Sequence, residues 1–125
     1  MQRFEVDLPF PPTANTLFPT GRNNRRFKSP KYKAWIKSAE TAFYQQFPHW
    51  LVDPVPTILG EVHVVMHFGR PDKRRRDLAN LEKATTDFIV NMGVIEDDCL
   101  IQSLFMMWSP IEGCHVAIRG IHEHG

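Results

Sequence analysis

Phe4, Val6 and Leu8 alternate with Glu5 and Asp7, the period of two expected of a short strand with one buried face. Residues 58–68, ILGEVHVVMHF, repeat the alternation at greater length, with Val62, Val64, Met66 and Phe68 set against Glu61, His63, Val65 and His67. Between these stretches the period changes. Tyr32, Trp35, Ile36, Ala39, Phe43 and Phe47 recur at spacings of three and four, so one apolar stripe runs down a helix while Lys31, Lys33 and Lys37 point elsewhere. Ser29-Pro30 predicts its start, serine as N-cap and proline at the first helical position, and Pro48, Pro54 and Pro56 turn the chain after Phe47. A second helix is predicted over 78–92. At about 100° per residue, Leu78, Leu81, Thr85, Phe88, Ile89 and Met92 fall on one side and Asn80, Lys83 and Asp87 on the other. Gly93 follows as a left-handed cap. LIQSLFMMW and CHVAIRGIH read as two more strands, and Ser109-Pro110 with Glu112-Gly113 predict a hairpin between them. Strand, helix, strand, helix, strand, strand implies an α+β fold, an α/β two-layer sandwich with two helices on one face of a mixed sheet.

One stretch fits neither period. PFPPTANTLFPTGRNNRRFKSP, residues 9–30, carries five prolines, a glycine and three asparagines, and loops of this length are often functional. Its Leu17, Phe18 and Phe27 are interleaved with arginines, a pattern that suits docking on DNA and equally suits a loop pinned to the body by its own rings.

A length of 125 residues predicts one domain with a core that needs no staples. Two cysteines, Cys99 and Cys114, are too few for a disulfide framework, and the opening Met1-Gln2-Arg3-Phe4-Glu5 is no apolar signal, which points to a reducing, cytoplasmic setting. No apolar run approaches the roughly 20 residues needed to span a bilayer, so no membrane partner is expected.

Net charge is only +1, yet its distribution is uneven. Of 15 Lys and Arg, seven lie in an acid-free stretch (Arg22, Arg25, Arg26, Lys28, Lys31, Lys33, Lys37) and six in a second (Arg70, Lys73, Arg74, Arg75, Arg76, Lys83). Asp77, Glu82, Asp87, Glu96, Asp97 and Asp98 crowd beside or after the second window. Basic flanks around an acidic centre suit a metal-dependent enzyme acting on a phosphate polymer; a salt-bridged surface produces the same sorting. Asp77 likewise has two readings, a metal ligand or the N-cap of the second helix.

The stretch PDKRRRDLANLEKATTDFIVNMGVIEDD resembles the signature of the RusA family of Holliday junction resolvases, small dimeric endonucleases that cut four-way DNA junctions with Mg²⁺. Asp77, Asn80, Lys83, Gly93, Asp97 and Asp98 fit the pattern in order and spacing. LPFPPTAN with Asn15, and the basic SPKYKAW, resemble the family's Pro-Pro-x-x-Asn opening and following helix, so the likeness covers most of the chain. It implies Asp77, Lys83 and Asp98 as catalytic residues and Asp77, Asp98 and Asp97 as candidate metal ligands, for Mg²⁺ with Mn²⁺ as a possible substitute; Glu82 joins the candidate metal set on its position in the helix. Lys73, Arg74, Arg75, Arg76 and Asn80, with Asn15, Arg22, Arg25, Arg26, Lys28 and Lys31, become the DNA-binding set. The implied function is Mg-dependent cleavage of four-way junctions in recombination and repair.

One position departs from the pattern. Where the family usually has its second aspartate, this chain has Ala79, which ligates nothing. Glu82, one turn on and about 60° round, supplies the missing carboxylate, or the chain binds junctions without cutting them; Asp72 is a further substitute. Paired cuts call for a homodimer of C2 symmetry, with Phe105, Met107 and Trp108 as the interface or, more simply, as core. A histidine metal module is the remaining class: His63 and His67 share a strand face and Cys114 adjoins His115, but a solvent-facing strand and a lone thiol account for them without the spacings zinc favours.

Overall fold

The computed structural model describes residues 1–19 and 26–121. Four strands and two α-helices follow in the predicted order: β1 (Arg3–Leu8), α1 (Pro30–Gln46), β2 (Val62–Phe68), α2 (Glu82–Asn91), β3 (Ile101–Trp108) and β4 (Cys114–Gly120). The sheet is mixed, in the order β1-β4-β2-β3, with β2 and β3 parallel and the other pairs antiparallel.

The predicted hairpin is therefore corrected, because β2 lies between β3 and β4. Phe68, the last residue of β2, faces Trp108 on one side and Cys114 on the other, so residues 109–113 must arch over the end of β2. The arch is hydrogen-bonded to what it crosses: Ser109 N–H donates to Phe68 O at 2.9 Å and Gly69 N–H to Gly113 O at 2.8 Å. A side chain at Gly69 would collide with the carbonyl of Ile111, and Gly113 adopts φ +77°. Ser-Pro and Glu-Gly thus mark a real reversal, but one wide enough to admit a strand.

Alternation builds one buried sheet face. Phe4, Val6, Leu8, Val62, Val64, Met66, Phe68, Cys114, Val116 and Ile118 meet Tyr32, Trp35, Ala39 and Phe43 of α1 and Ala84, Phe88 and Ile89 of α2 in one core. Ser29 caps α1 as predicted, its Oγ accepting from Tyr32 N–H at 3.1 Å. Gln46 at the other end of α1 pairs with β1 as a strand residue would: its amide accepts from Asp7 N–H at 2.9 Å and donates to Asp7 O at 2.8 Å, covering that sheet edge. The long loop is pinned by Leu17, fully buried, and by Phe18, set edge-on against Tyr32, whereas Phe27 is 48% exposed. Among the described residues no helix is long and apolar enough to cross a membrane.

Among the described residues no helix covers the second face of the sheet. Paired registers lay out rows upon it: Arg3, Arg119, His63 and Ser103; then Glu5, Ala117, Val65 and Phe105; then Asp7, His115, His67 and Met107. Arg3 and Arg119 thus occupy one end and Asp7 the other, while Ala117, Val65 and Phe105 share the middle with Glu5.

Candidate active site

The second predicted helix begins later than its pattern. Leu78–Leu81 forms a 3-10 turn, tightened by Asn80 N–H donating to Asp77 O at 3.1 Å, and α2 proper starts at Glu82. Asp77 stands at the cap position with extended backbone (φ −85°, ψ 114°), yet its carboxylate accepts no capping hydrogen bond. Capping therefore does not explain this exposed acid. Leu81 is buried and anchors the turn, while Ala79 is exposed.

The chain returns to this region twice. The turn Ala14–Thr16, carrying exposed Asn15, packs against both the Leu78–Leu81 turn and α2. After α2, Gly93 takes φ +79°, and Asp98–Leu100 forms a short turn that packs on α2 before β3 begins. Asp97 caps that turn, its Oδ1 accepting from Cys99 N–H at 3.0 Å.

Charges converge at the junction of α2 with this turn. The hydrogen bond between the Asp97 and Asp98 carboxyls raises Asp98, aided by desolvation and by the negative charge of Asp97, and opposed by nearby Lys83. Asp97 is lowered by the backbone N–H of Cys99 and by its bond to Asp98. Glu82 is raised by desolvation, with Asp98 and Asp87 adding repulsion against the charge of Lys83. Lys83 itself is ion-paired with Asp87 one turn on at 3.2 Å. Asp97, Asp98, Glu82 and Lys83 thus act on one another. Asp77 makes no side-chain hydrogen bond or ion pair with them, and among the described residues no three His, Cys, Asp or Glu side chains are gathered for a metal.

The donor chemistry nevertheless fits a hard dication. All candidate ligands are carboxylate oxygens, two of them adjacent and mutually repelled, and Mg²⁺ keeps several waters and so needs few protein ligands. Among the described residues the histidine alternative has no such convergence: Cys114 is buried on the core face while His115 looks out of the opposite face toward Asp7 and Glu5. His63 and His67 bond to Ser103 and Ser109.

Asp72, the further substitute ligand, is engaged by the arginine run. Its carboxylate accepts from Arg74 N–H at 3.0 Å and from the Arg76 guanidinium at 2.8 Å, and these bonds hold it below the usual carboxylate range. Arg76 then lies 5.5 Å over the ring of Phe10. Lys73, Arg74 and Arg75 are exposed around this fixed point. In the first basic window Arg26 lies over Phe18 and Lys28 over Tyr32, with Lys31 exposed on α1; Arg22 and Arg25 lie outside the described residues. Sequence reasoning missed the service of Asp72 to the arginines, although an Asp four residues before an Arg is a recognisable pairing.

The profile of the family described as Endodeoxyribonuclease RusA matches residues 9–119. A protein of Shigella sonnei named crossover junction endodeoxyribonuclease RusA is 27% identical over 114 residues, 89% of this chain and 87% of the relative. Proteins of the same name from Escherichia coli K12 and Enterobacteria phage 82 are 26% and 27% identical over the same share. The matched span takes in the exposed Asp77, the 3-10 turn with Asn80, Lys83 and the Asp97–Asp98 pair, and the chain belongs to the RusA family of endodeoxyribonucleases.

Proposed function

We propose that this protein resolves four-way DNA junctions by metal-dependent phosphodiester hydrolysis, acting as a homodimer. The observation that carries the reading is the juxtaposition of the Asp97–Asp98 pair with Lys83 and Glu82 at the start of α2, directly after an arginine loop. Asp77 and Asp98, with Asp97 or Glu82, would hold Mg²⁺ or Mn²⁺. When bound, such an ion acidifies water and polarises a phosphoryl oxygen.

The chain's own groups do the remaining work. Lys83 releases Asp87 and sets its ammonium against the charge that develops on the phosphoryl group. Asp97, held by the Cys99 N–H, orients Asp98. Arg74, Arg75, Arg76 and Lys73, with Arg26, Lys28 and Lys31, bind backbone phosphates, and Asn15 and Asn80 meet the strand between these groups. Each phosphate neutralised should steepen the log-log salt dependence by roughly 0.9 on duplex arms. The setting is cytoplasmic, in keeping with free thiols at Cys99 and Cys114.

Two symmetric cuts need two centres, and the helix-free sheet face is the surface for a second copy. Phe105 is 65% exposed there and Met107 37%, beside Val65 and Ala117. A two-fold axis through this middle would set the Arg3 and Arg119 end of one copy on the Asp7 end of the other. Trp108 lies on the opposite face and takes no part.

A second reading is favoured by Ala79. Its exposed methyl stands where the family places a carboxylate, and a chain without that ligand binds junctions but does not cut them. Nicking of a synthetic four-way junction, with and without Mg²⁺, separates the two. Cleavage by this chain that is lost in Asp77→Asn and Asp98→Asn, with junction affinity retained, supports the nuclease; binding with no cleavage by the unaltered chain supports the second reading. Glu82→Ala tests whether Glu82 replaces the absent ligand, and full activity in that variant removes it.

A further inference from the structure

Arg70 is the one arginine of the second basic window whose only partner among the described residues is a ring. Its guanidinium lies 4.2 Å from the centre of the Trp108 indole, and no carboxylate pairs with it, in contrast to Arg74 and Arg76, which share Asp72. Trp108 in turn is stacked on Phe10 at 6.4 Å and 10°, and Phe10 carries Arg76. Three segments far apart in sequence therefore build one column of planar groups, which ties the exposed Arg70 to the phosphate-binding loop.

Beside Arg70 lies a hollow of about 380 Å³ walled by Trp108, Ser109, Pro110 and Ile111. Its lining is mainly apolar, which suits a flat, weakly hydrated ring and does not suit a solvated phosphate. An arginine laid on an indole loses little rotamer freedom when it receives a further layer, and its edge N–H groups stay free for base or backbone acceptors. We propose that Arg70 and Trp108 form a stacking platform for one unpaired nucleobase at the exchange point of the junction, and that this site contributes to preference for branched over linear DNA. The inference rests on the junction-binding reading above.

The experiment measures affinity of the full chain, without divalent ions, for a synthetic four-way junction and for the same junction carrying single abasic sites at each exchange-point nucleotide. For the unaltered chain, at least one abasic site should weaken binding about tenfold, the usual scale of one base stacked on a protein ring. Arg70→Ala should abolish that difference, and so should Arg70→Lys, which keeps the charge but not the plane. Circular dichroism verifies that both variants fold, as expected for an exposed side chain. If Arg70→Ala weakens binding equally to intact and abasic junctions, Arg70 is an ordinary phosphate contact and the platform is overturned. It is likewise overturned if no abasic site matters to the unaltered chain. Failure of the folded, unaltered chain to prefer junctions over duplex overturns the proposed function as well, a result distinct from either of these.

Discussion

The Asp72 carboxylate sits 2.8 Å from the Arg76 guanidinium, and its second oxygen takes the Arg74 N–H at 3.0 Å. This bracket closes the loop between β2 and α2 so that Arg76 is held over Phe10, one residue before Asp77. Both oxygens are engaged by cation and backbone, so Asp72 is poorly disposed to join a metal set. Asp72→Asn is expected to weaken junction binding several-fold by freeing Arg76, while leaving the cleavage rate of the saturated complex and its Mg²⁺ requirement unchanged. Single-turnover cleavage over a range of protein concentrations separates these effects. A fall in the saturated rate with a raised Mg²⁺ requirement would return Asp72 to the ligand set.

Ala79→Asp restores the missing carboxylate on an exposed position of the 3-10 turn, where no packing opposes it. It should lower the Mg²⁺ concentration for half-maximal cleavage by on the order of tenfold or more, because loss of even a ligand's supporting partner costs about that much. Calorimetric titration of Mg²⁺ into the DNA-free protein gives a second readout. An unchanged Mg²⁺ requirement in both would mean that Glu82, or another group, already completes the set.

Local periodicity carried most of the fold. The stripe from Tyr32 to Phe43 and the alternations in β1 and β2 each describe a face that must be buried, and burial follows. Strand order was beyond such patterns, since Ser109-Pro110 and Glu112-Gly113 encode a reversal without encoding its width; the deciding feature, Gly69 under the Ile111 carbonyl, is distant in sequence. Asp77 shows the same limit at the site. Its position before an apolar helix could not tell a cap from a ligand, and only the side chain's failure to accept an N–H tells against capping. Phe105 and Trp108 looked alike as aromatic residues of one strand, yet pairing with Val65 turns the first outward and pairing with Phe68 turns the second toward Phe10.

That difference yields a third prediction. Phe105→Glu places a charge in the middle of the apolar row and leaves the core packing intact, because the ring is 65% exposed. The variant should keep its unfolding midpoint measured at low concentration, and under the proposed two-fold assembly its mass by light scattering should be that of a monomer where the unaltered chain gives a dimer. Should Phe105→Glu remain dimeric, the copies meet through another surface, with the free edge of β3 the next to test.

His115 joins the acidic end of the same face to protein stability. Its Nδ1 lies 2.7 Å from Asp7 and its Nε2 3.2 Å from Glu5, and the hydrogen bond to Asp7 leads the causes that raise its pKa above the ordinary 6.5, against some desolvation. A group bound more tightly to its proton in the folded state stabilises the fold fully below its unfolded pKa and loses that contribution as pH rises through the higher, folded value. Stability against urea should accordingly decline from about pH 6.5 upward, levelling once the folded imidazole is neutral. Asp7→Asn should flatten this decline, and His115→Gln should remove it, both at protein concentrations low enough to exclude dimer effects. A decline of equal size in His115→Gln would assign the pH dependence to other groups, and a rise in stability over the same window would contradict the ion pair itself.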